Sequence, residues 1–185
     1  MSTPASMSSP TPPTLTTDRL VLRPLRLEDV TALNAIQSDP VHMRFYPHPF
    51  SLDQSRAWIE RMLASYQLHG FSLLAVEDRD TGEFLGNVGP HVQTIDGVDE
   101  VELGWSVTRA RARQGIATEA ATACRDWVFS TLEVDHVISL ILPENMASRG
   151  VAENLGMQVW KDVIWGSMMP RLHHVYRLDR ADASR

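Results

Sequence analysis

Hydrophobic and polar positions alternate or recur along most of the chain, and their periods predict its elements. Arg19 to Leu25 alternates with period two and ends at a proline-containing turn, the mark of a strand. Leu27 to Ser38 has helical spacing, begins with Glu28 and Asp29 and stops before Pro40. His42 to Phe50 holds two prolines and three aromatic residues and predicts a loop or lid. Ser51 suits the N-cap of a second helix, in which Trp58, Ile59, Met62 and Leu63 share a face through about His69. Phe71 to Glu77 and Glu83 to Val92 predict two strands joined by the turn residues Asp78 to Gly82. A second turn, Ile95-Asp96-Gly97, leads into a strand over Glu100 to Val107. Gly115 opens a long helix to about Phe129, with Ala117, Ala120, Ala121, Cys124 and Trp127 or Val128 on one side. The run from His136 to Leu142 is nearly continuous in apolar residues, as a buried strand requires. Asn145 to Leu155 predicts a helix stopped by Gly156, and Met157 to Trp165 and His173 to Leu178 predict two final strands. The order β-α-α-β-β-β-α-β-α-β-β describes an α/β (α+β) fold with one mostly antiparallel sheet of about seven strands flanked by four helices.

Composition narrows the setting. The 185 residues, 43% hydrophobic and 22% charged, suit one soluble domain, expected over residues 15–185 behind a Ser-, Thr- and Pro-rich disordered tail over 1–14. A single cysteine, Cys124, rules out an intramolecular disulfide. No apolar run approaches the roughly 20 residues that span a bilayer. The first residues lack the basic start and apolar stretch of a secretory signal. Together these predict a cytoplasmic protein. The net charge of −6 argues against nucleic-acid binding through a basic surface. Even so, Arg109, Arg111 and Arg113 fall within five positions, while Lys161 is the single lysine. An arginine-rich loop on an acidic body can attract a small polyanion; a GC-rich genome would leave the same bias.

The loop–helix junction Arg113-Gln114-Gly115-Ile116-Ala117-Thr118 carries the clearest chemistry. The first turn of a helix presents N–H groups without intrahelical partners and the positive end of the helix dipole. Small residues such as Gly115 and Ala117 let those donors approach a diphosphate closely. Thr118 adds a hydroxyl and the arginines add charge. The spacing fits neither the P-loop nor the three-glycine dinucleotide pattern. A glycine that merely starts a helix is the competing reading.

Four stretches in order, TDRLVLRPLRLEDV, ELGWSV, RQGIATEA and PENMASRGVAENLGM, resemble the GNAT superfamily of acetyl-CoA-dependent N-acetyltransferases. Within it they are similar to the RimJ/RimL type, whose named members acetylate the amino termini of ribosomal proteins. The resemblance covers residues 15 to about 178. It implies that Arg113 to Thr118 wraps the pyrophosphate of CoA with backbone amides. It further implies that Trp105, Ser106 and Val107 hydrogen-bond the pantetheine arm like an added strand, and that a splay between the fourth and fifth predicted strands admits the arm. Asn145 matches an asparagine that contacts the arm, and Ser148 a serine characteristic of the branch. Two positions depart from the pattern: Ala112 and Arg113 replace a Gln or Arg and a small residue, and Ala152 stands where many relatives have a tyrosine acid.

Acetylation requires a neutral amine, donors for a tetrahedral oxyanion and a proton for the departing thiolate. Glu102 is the candidate base, matching a carboxylate of many relatives, and Glu100 should share its strand face and raise one of the two pKa values. Alternatively either carboxylate faces solvent or pairs with an arginine. Ser148 is the candidate donor to sulfur, or else a hydroxyl bonded to its own helix; Asn145 contacts the arm or simply caps that helix. Cys124, on an apolar stripe, reads as core. The histidines lack metal-ligand spacing, so no metal is expected. His42, Phe45, Tyr46 and His48 are placed by the resemblance at the acceptor end, or else pack a lid. The expected function is transfer of acetyl from acetyl-CoA to a primary amine, on a protein amino terminus or a small molecule, by direct attack in a ternary complex. The alternative is a non-catalytic acyl-CoA-binding or sensor protein. A monomer or homodimer is expected, without membrane or nucleic-acid partners.

Overall fold

Eight strands form one sheet in the computed structural model, which describes residues 12–166 and 168–183. Most of the expected tail, residues 1–11, lies outside the described residues. The strands are β1 (Leu15–Thr16), β2 (Leu20–Pro24), β3 (Leu74–Asp78), β4 (Phe84–Ile95), β5 (Val98–Val107), β6 (His136–Ile141), β7 (Gln158–Trp165) and β8 (Arg171–Asp179). Their spatial order is β1-β2-β3-β4-β5-β6-β8-β7, antiparallel at every step except β5–β6. Four helices accompany them: α1 (Val30–Gln37), α2 (Leu52–His69), α3 (Ile116–Thr131) and α4 (Met146–Asn154).

Alternation along the strands divides the core. Leu74 and Val76 of β3 join a cluster with Ala120, Ala121, Cys124 and Val128 of α3 and Ala152 of α4. Ala75, between them, faces the other way and packs with Leu25, Val30, Leu33 and Ile59 beneath α1 and α2. Cys124 belongs to the first cluster, where burial pushes its thiol up to about 12.

Three boundaries differ from expectation. Leu27–Asp29 forms a 3-10 turn ahead of α1 rather than part of it. Phe71 to Leu73 is buried but lies outside the ladder, because the Tyr66 hydroxyl donates to the Leu73 carbonyl while accepting from the Leu25 amide at 3.0 Å. A tyrosine thus replaces the strand pairing, and burial raises its own pKa to about 12. The β4–β5 hairpin is longer than predicted, closing through Asp96 and Gly97 alone at φ 52° and 80°. Two left-handed residues make the turn whose twist matches paired strands, which favours an Asp-Gly sequence there.

Candidate active site

The one parallel pairing in the sheet is also its weakest. Between β5 and β6 a single register pair joins Glu102 and Ile138. Beyond it the strands separate, and side chains replace the ladder: the Ser139 hydroxyl donates to the Leu103 carbonyl at 2.7 Å, and the Leu140 amide donates to Glu102 Oε1 at 3.0 Å. Residues 105–107 are paired with β4 on one edge, through Val88, Asn87 and Gly86, while their other edge turns toward the opening. The splay expected between these strands is present.

At the same end of the sheet, the junction into α3 contains two residues in left-handed conformation, Arg113 at φ 62° and Gly115 at φ 78°. The pair bends the backbone sharply just ahead of the helix. Among the described residues, none of the N–H groups of residues 113–118 donates to a protein acceptor, although the Ala112 and Glu119 amides on either side do. Ile116 is buried and anchors the turn to the core. Arg19 braces it from outside, donating to the Gln114 carbonyl at 3.0 Å and pairing with Glu119 at 2.6 Å. Burial alone would raise the Glu119 pKa, but hydrogen bonds from Thr17 and Arg19 bring it below its ordinary value. An acidic residue in the first helical turn is thereby paired with a cation and a hydroxyl. Of the three clustered arginines, Arg109 pairs with Asp39 at 2.9 Å and Arg111 with Glu83. Arg113 is left without a protein partner among the described residues.

A cavity of about 610 Å³ lies at the splay, lined by Trp105, Ser106, Asn145 and Ser148 on one side and Glu102 on the other. Glu102 is 9% exposed and is the one carboxylate among the described lining residues. Its Oε2 lies 3.4 Å from His91 Nε2. Glu100 does not join it: its Oε2 meets His136 Nε2 at 2.9 Å, and it lies outside the cavity wall. Each of the two carboxylates therefore has its own histidine partner, drawn from a different strand. Asn145 caps α4 by accepting from the Ser148 amide at 3.2 Å and also lines the cavity. Ala152 is fully buried in the core.

Phe45 and Tyr46 line the cavity, whereas His42 bonds Ser106 Oγ at 2.9 Å and His48 contacts the Pro49 carbonyl. Tyr46 is 50% exposed overall, yet its phenol is set deep enough that burial, aided by the Glu102 charge, raises its pKa and keeps it a neutral donor. His91 and Asn87 are among the lining residues that the sequence did not single out. The two-residue turn at Asp96-Gly97 was the available signal. Counting back from it pairs Ile95 with Val98 and hence His91 with Glu102. Gly104 leaves room for that imidazole, since a Cβ there would lie 3.2 Å from His91 Cε1.

Comparison with known proteins agrees with this architecture. Residues 19–158 match the family model described as Acetyltransferase (GNAT) domain. The Bacillus subtilis protein YkkB is 35% identical over 150 residues, spanning 80% of this chain and 87% of that one. The N-acetyltransferase YoaA of the same species is 28% identical over 148 residues, spanning 79% and 83%. Among solved structures, an acetyltransferase from Agrobacterium tumefaciens aligns at TM-score 0.76 and 32% identity over 90% of this chain and 94% of that one. RimL, a ribosomal L7/L12 α-N-protein acetyltransferase in complex with coenzyme A, shares the fold at TM-score 0.74 and 14% identity, over 92% and 99%. A sheet opened between β5 and β6, a turn of unpartnered amides at its mouth and a matching profile over most of the length make this chain a member of the GNAT acetyltransferase family.

Proposed function

We propose that the protein transfers the acetyl group of acetyl-CoA to a primary amine by direct attack in a ternary complex, with Glu102 as the proton acceptor. The observation that carries this is the combination of unpartnered amides at residues 113–118, the unpaired edge of β5 that leads to them, and a cavity in which Glu102 is the one carboxylate among the described lining residues. The amides and Arg113 supply donors and charge for a diphosphate. Trp105 to Val107 offer strand-like hydrogen bonds to an extended arm, and Asn145 and Ser148 flank its far end.

The carboxylate of Glu102 is held by the Leu140 amide through one oxygen, leaving Oε2 toward the cavity and His91. That oxygen takes a proton from the bound ammonium, directly or through water. The freed lone pair attacks the thioester carbon, forming the C–N bond. Collapse of the tetrahedral intermediate breaks the C–S bond; the nitrogen gives up the one proton it holds beyond the amide product, and the departing thiolate takes a proton through Ser148, which is reprotonated in turn, so that the protons balance. Ser148 is the proposed donor to sulfur, in place of the tyrosine that Ala152 precludes.

Calorimetric titration with acetyl-CoA and CoA, paired with a thiol-release assay on Glu102→Gln, tests the proposal. Micromolar binding by both proteins, with turnover lost only in the variant, is the expected result. Absence of binding by the native protein would overturn the donor assignment, and undiminished turnover in Glu102→Gln would remove Glu102 as base.

A further inference from the structure

We infer that the acceptor is a compact lipophilic amine, a primary ammonium on an aromatic or long-alkyl body, and not a peptide amino terminus. This rests on the reading that the protein acetylates an amine and names the class of that amine.

The acceptor half of the cavity is walled by rings. Phe45, Tyr46 and Phe50 come from the segment before α2, Trp58 from α2 itself, and Trp165 and His173 from β7 and β8. The rim is apolar as well: Met168 and Met169, at the β7–β8 connection, are 71% and 42% exposed yet line the same cavity. Exposed apolar side chains gathered at one mouth mark a binding surface rather than ordinary scatter. Methionines adapt to irregular apolar partners. Arg171 joins the two walls, donating to the Phe45 carbonyl at 3.4 Å, and pairs with Glu144. Among the described lining residues Arg171 is the one arginine or lysine and is already matched, which leaves Glu102 as the one unneutralised carboxylate there.

Beside that carboxylate two polar atoms are buried without partners. Asn87, 4% exposed, has a buried Oδ1 without a partner, and so has His91 at Nδ1. Both lie on the strand face that carries Glu102, since Asn87 pairs with Ser106 and His91 with Glu102 across β4 and β5. A primary ammonium brings three donors to the Glu102 carboxylate. Rings around a cation add favourable contacts with their faces. A peptide would fit the ammonium end equally well, but its next residues would lay N–H and C=O groups against rings and thioethers that cannot pair them. An aminoglycoside would bury hydroxyls there with the same deficit.

The test is the rate of thiol release from acetyl-CoA with straight-chain amines from propylamine to octylamine, which share nearly one amine basicity, and with phenethylamine. Peptides with free amino termini and an aminoglycoside run alongside. Each methylene entering the pocket should raise kcat/KM roughly fourfold until the wall is filled. A Met168→Ser/Met169→Ser double variant, altered at the rim of the cavity, should flatten that dependence, read as a smaller ratio of octylamine to propylamine kcat/KM than in the native protein. A flat series in the native protein, or faster acetylation of peptides or the aminoglycoside, would overturn the inference and leave amine acetylation standing. Binding of acetyl-CoA with no amine of any class acetylated would overturn the amine-acceptor reading itself.

Discussion

At one end of the site, consecutive backbone amides of residues 113–118 are unpartnered among the described residues; at the other, Glu102, His91 and Asn87 line a cavity between strands. The first is made of main chain and comes from six adjacent residues. The second is made of side chains drawn from β4, β5, α2, β7 and the segment before α2. A main-chain site tolerates side-chain change: the turn keeps its form although Arg113 adopts a left-handed conformation that a small residue would hold more easily. A side-chain site has no such latitude, since moving one group by an ångström disturbs the others.

This contrast can be broken at either end, and the variants should separate cleanly. Glu102→Gln is expected to give the largest effect, a fall in kcat of about 100-fold or more with acetyl-CoA affinity within twofold. The glutamine oxygen can still accept from Leu140, so calorimetry and turnover together isolate the proton transfer. Gly115→Glu should raise the acetyl-CoA dissociation constant roughly 100-fold, about 2.7 kcal/mol. It places a carboxylate among the unpartnered amides and a side chain at φ 78°. Equal affinity in that variant would detach the turn from donor binding.

Gly104→Ala probes the acceptor end more gently. Its Cβ would meet His91 Cε1 and Leu73 Cδ2 at 3.2 Å each, so the imidazole must give by a few tenths of an ångström. Turnover should fall by roughly five- to tenfold without loss of fold, read from kcat and the thermal transition. Arg113→Ala keeps the Cβ and removes only charge. It should weaken acetyl-CoA binding by roughly fivefold at low salt and less at high salt, checked by titration at two ionic strengths.

His42, bonded to Ser106 between the two ends, supplies the smallest effect. Burial lowers its pKa, with Arg109 and Arg44 adding to the fall and Asp39 opposing it. The folded protein therefore resists protonating it, while the unfolded chain takes up the proton near pH 6.5. Stability is unaffected above that pH and decreases as the pH falls from there through the folded-state value. His42→Gln should shrink this acid-side loss in thermal melts between pH 7.5 and 5; an unchanged pH slope would show that His42 is not its source.

Periodicity made the elements legible because each reflects which side of a helix or strand meets the core. β4, β5, α3 and β6 follow the alternation and apolar stripes of their own residues. Phe71 to Leu73 was misread because a buried apolar run looks alike whether a strand partner or a tyrosine satisfies its backbone. The pairing of Glu100 with Glu102 was misread for a related reason: sharing a strand face does not decide partners, and His136 and His91 arrive from different strands.

The sequence by itself determined the order of elements, the turn at residues 113–118 and the carboxylate on β5, because these depend on local periodicity, glycine placement and spacing. Only the tertiary structure decided that Arg109 and Arg111 are neutralised by Asp39 and Glu83, that His91 stands beside Glu102, and that aromatic residues far apart in the chain wall one cavity. Those are contacts between distant segments, set by how strands register and helices pack, and no local pattern encodes them.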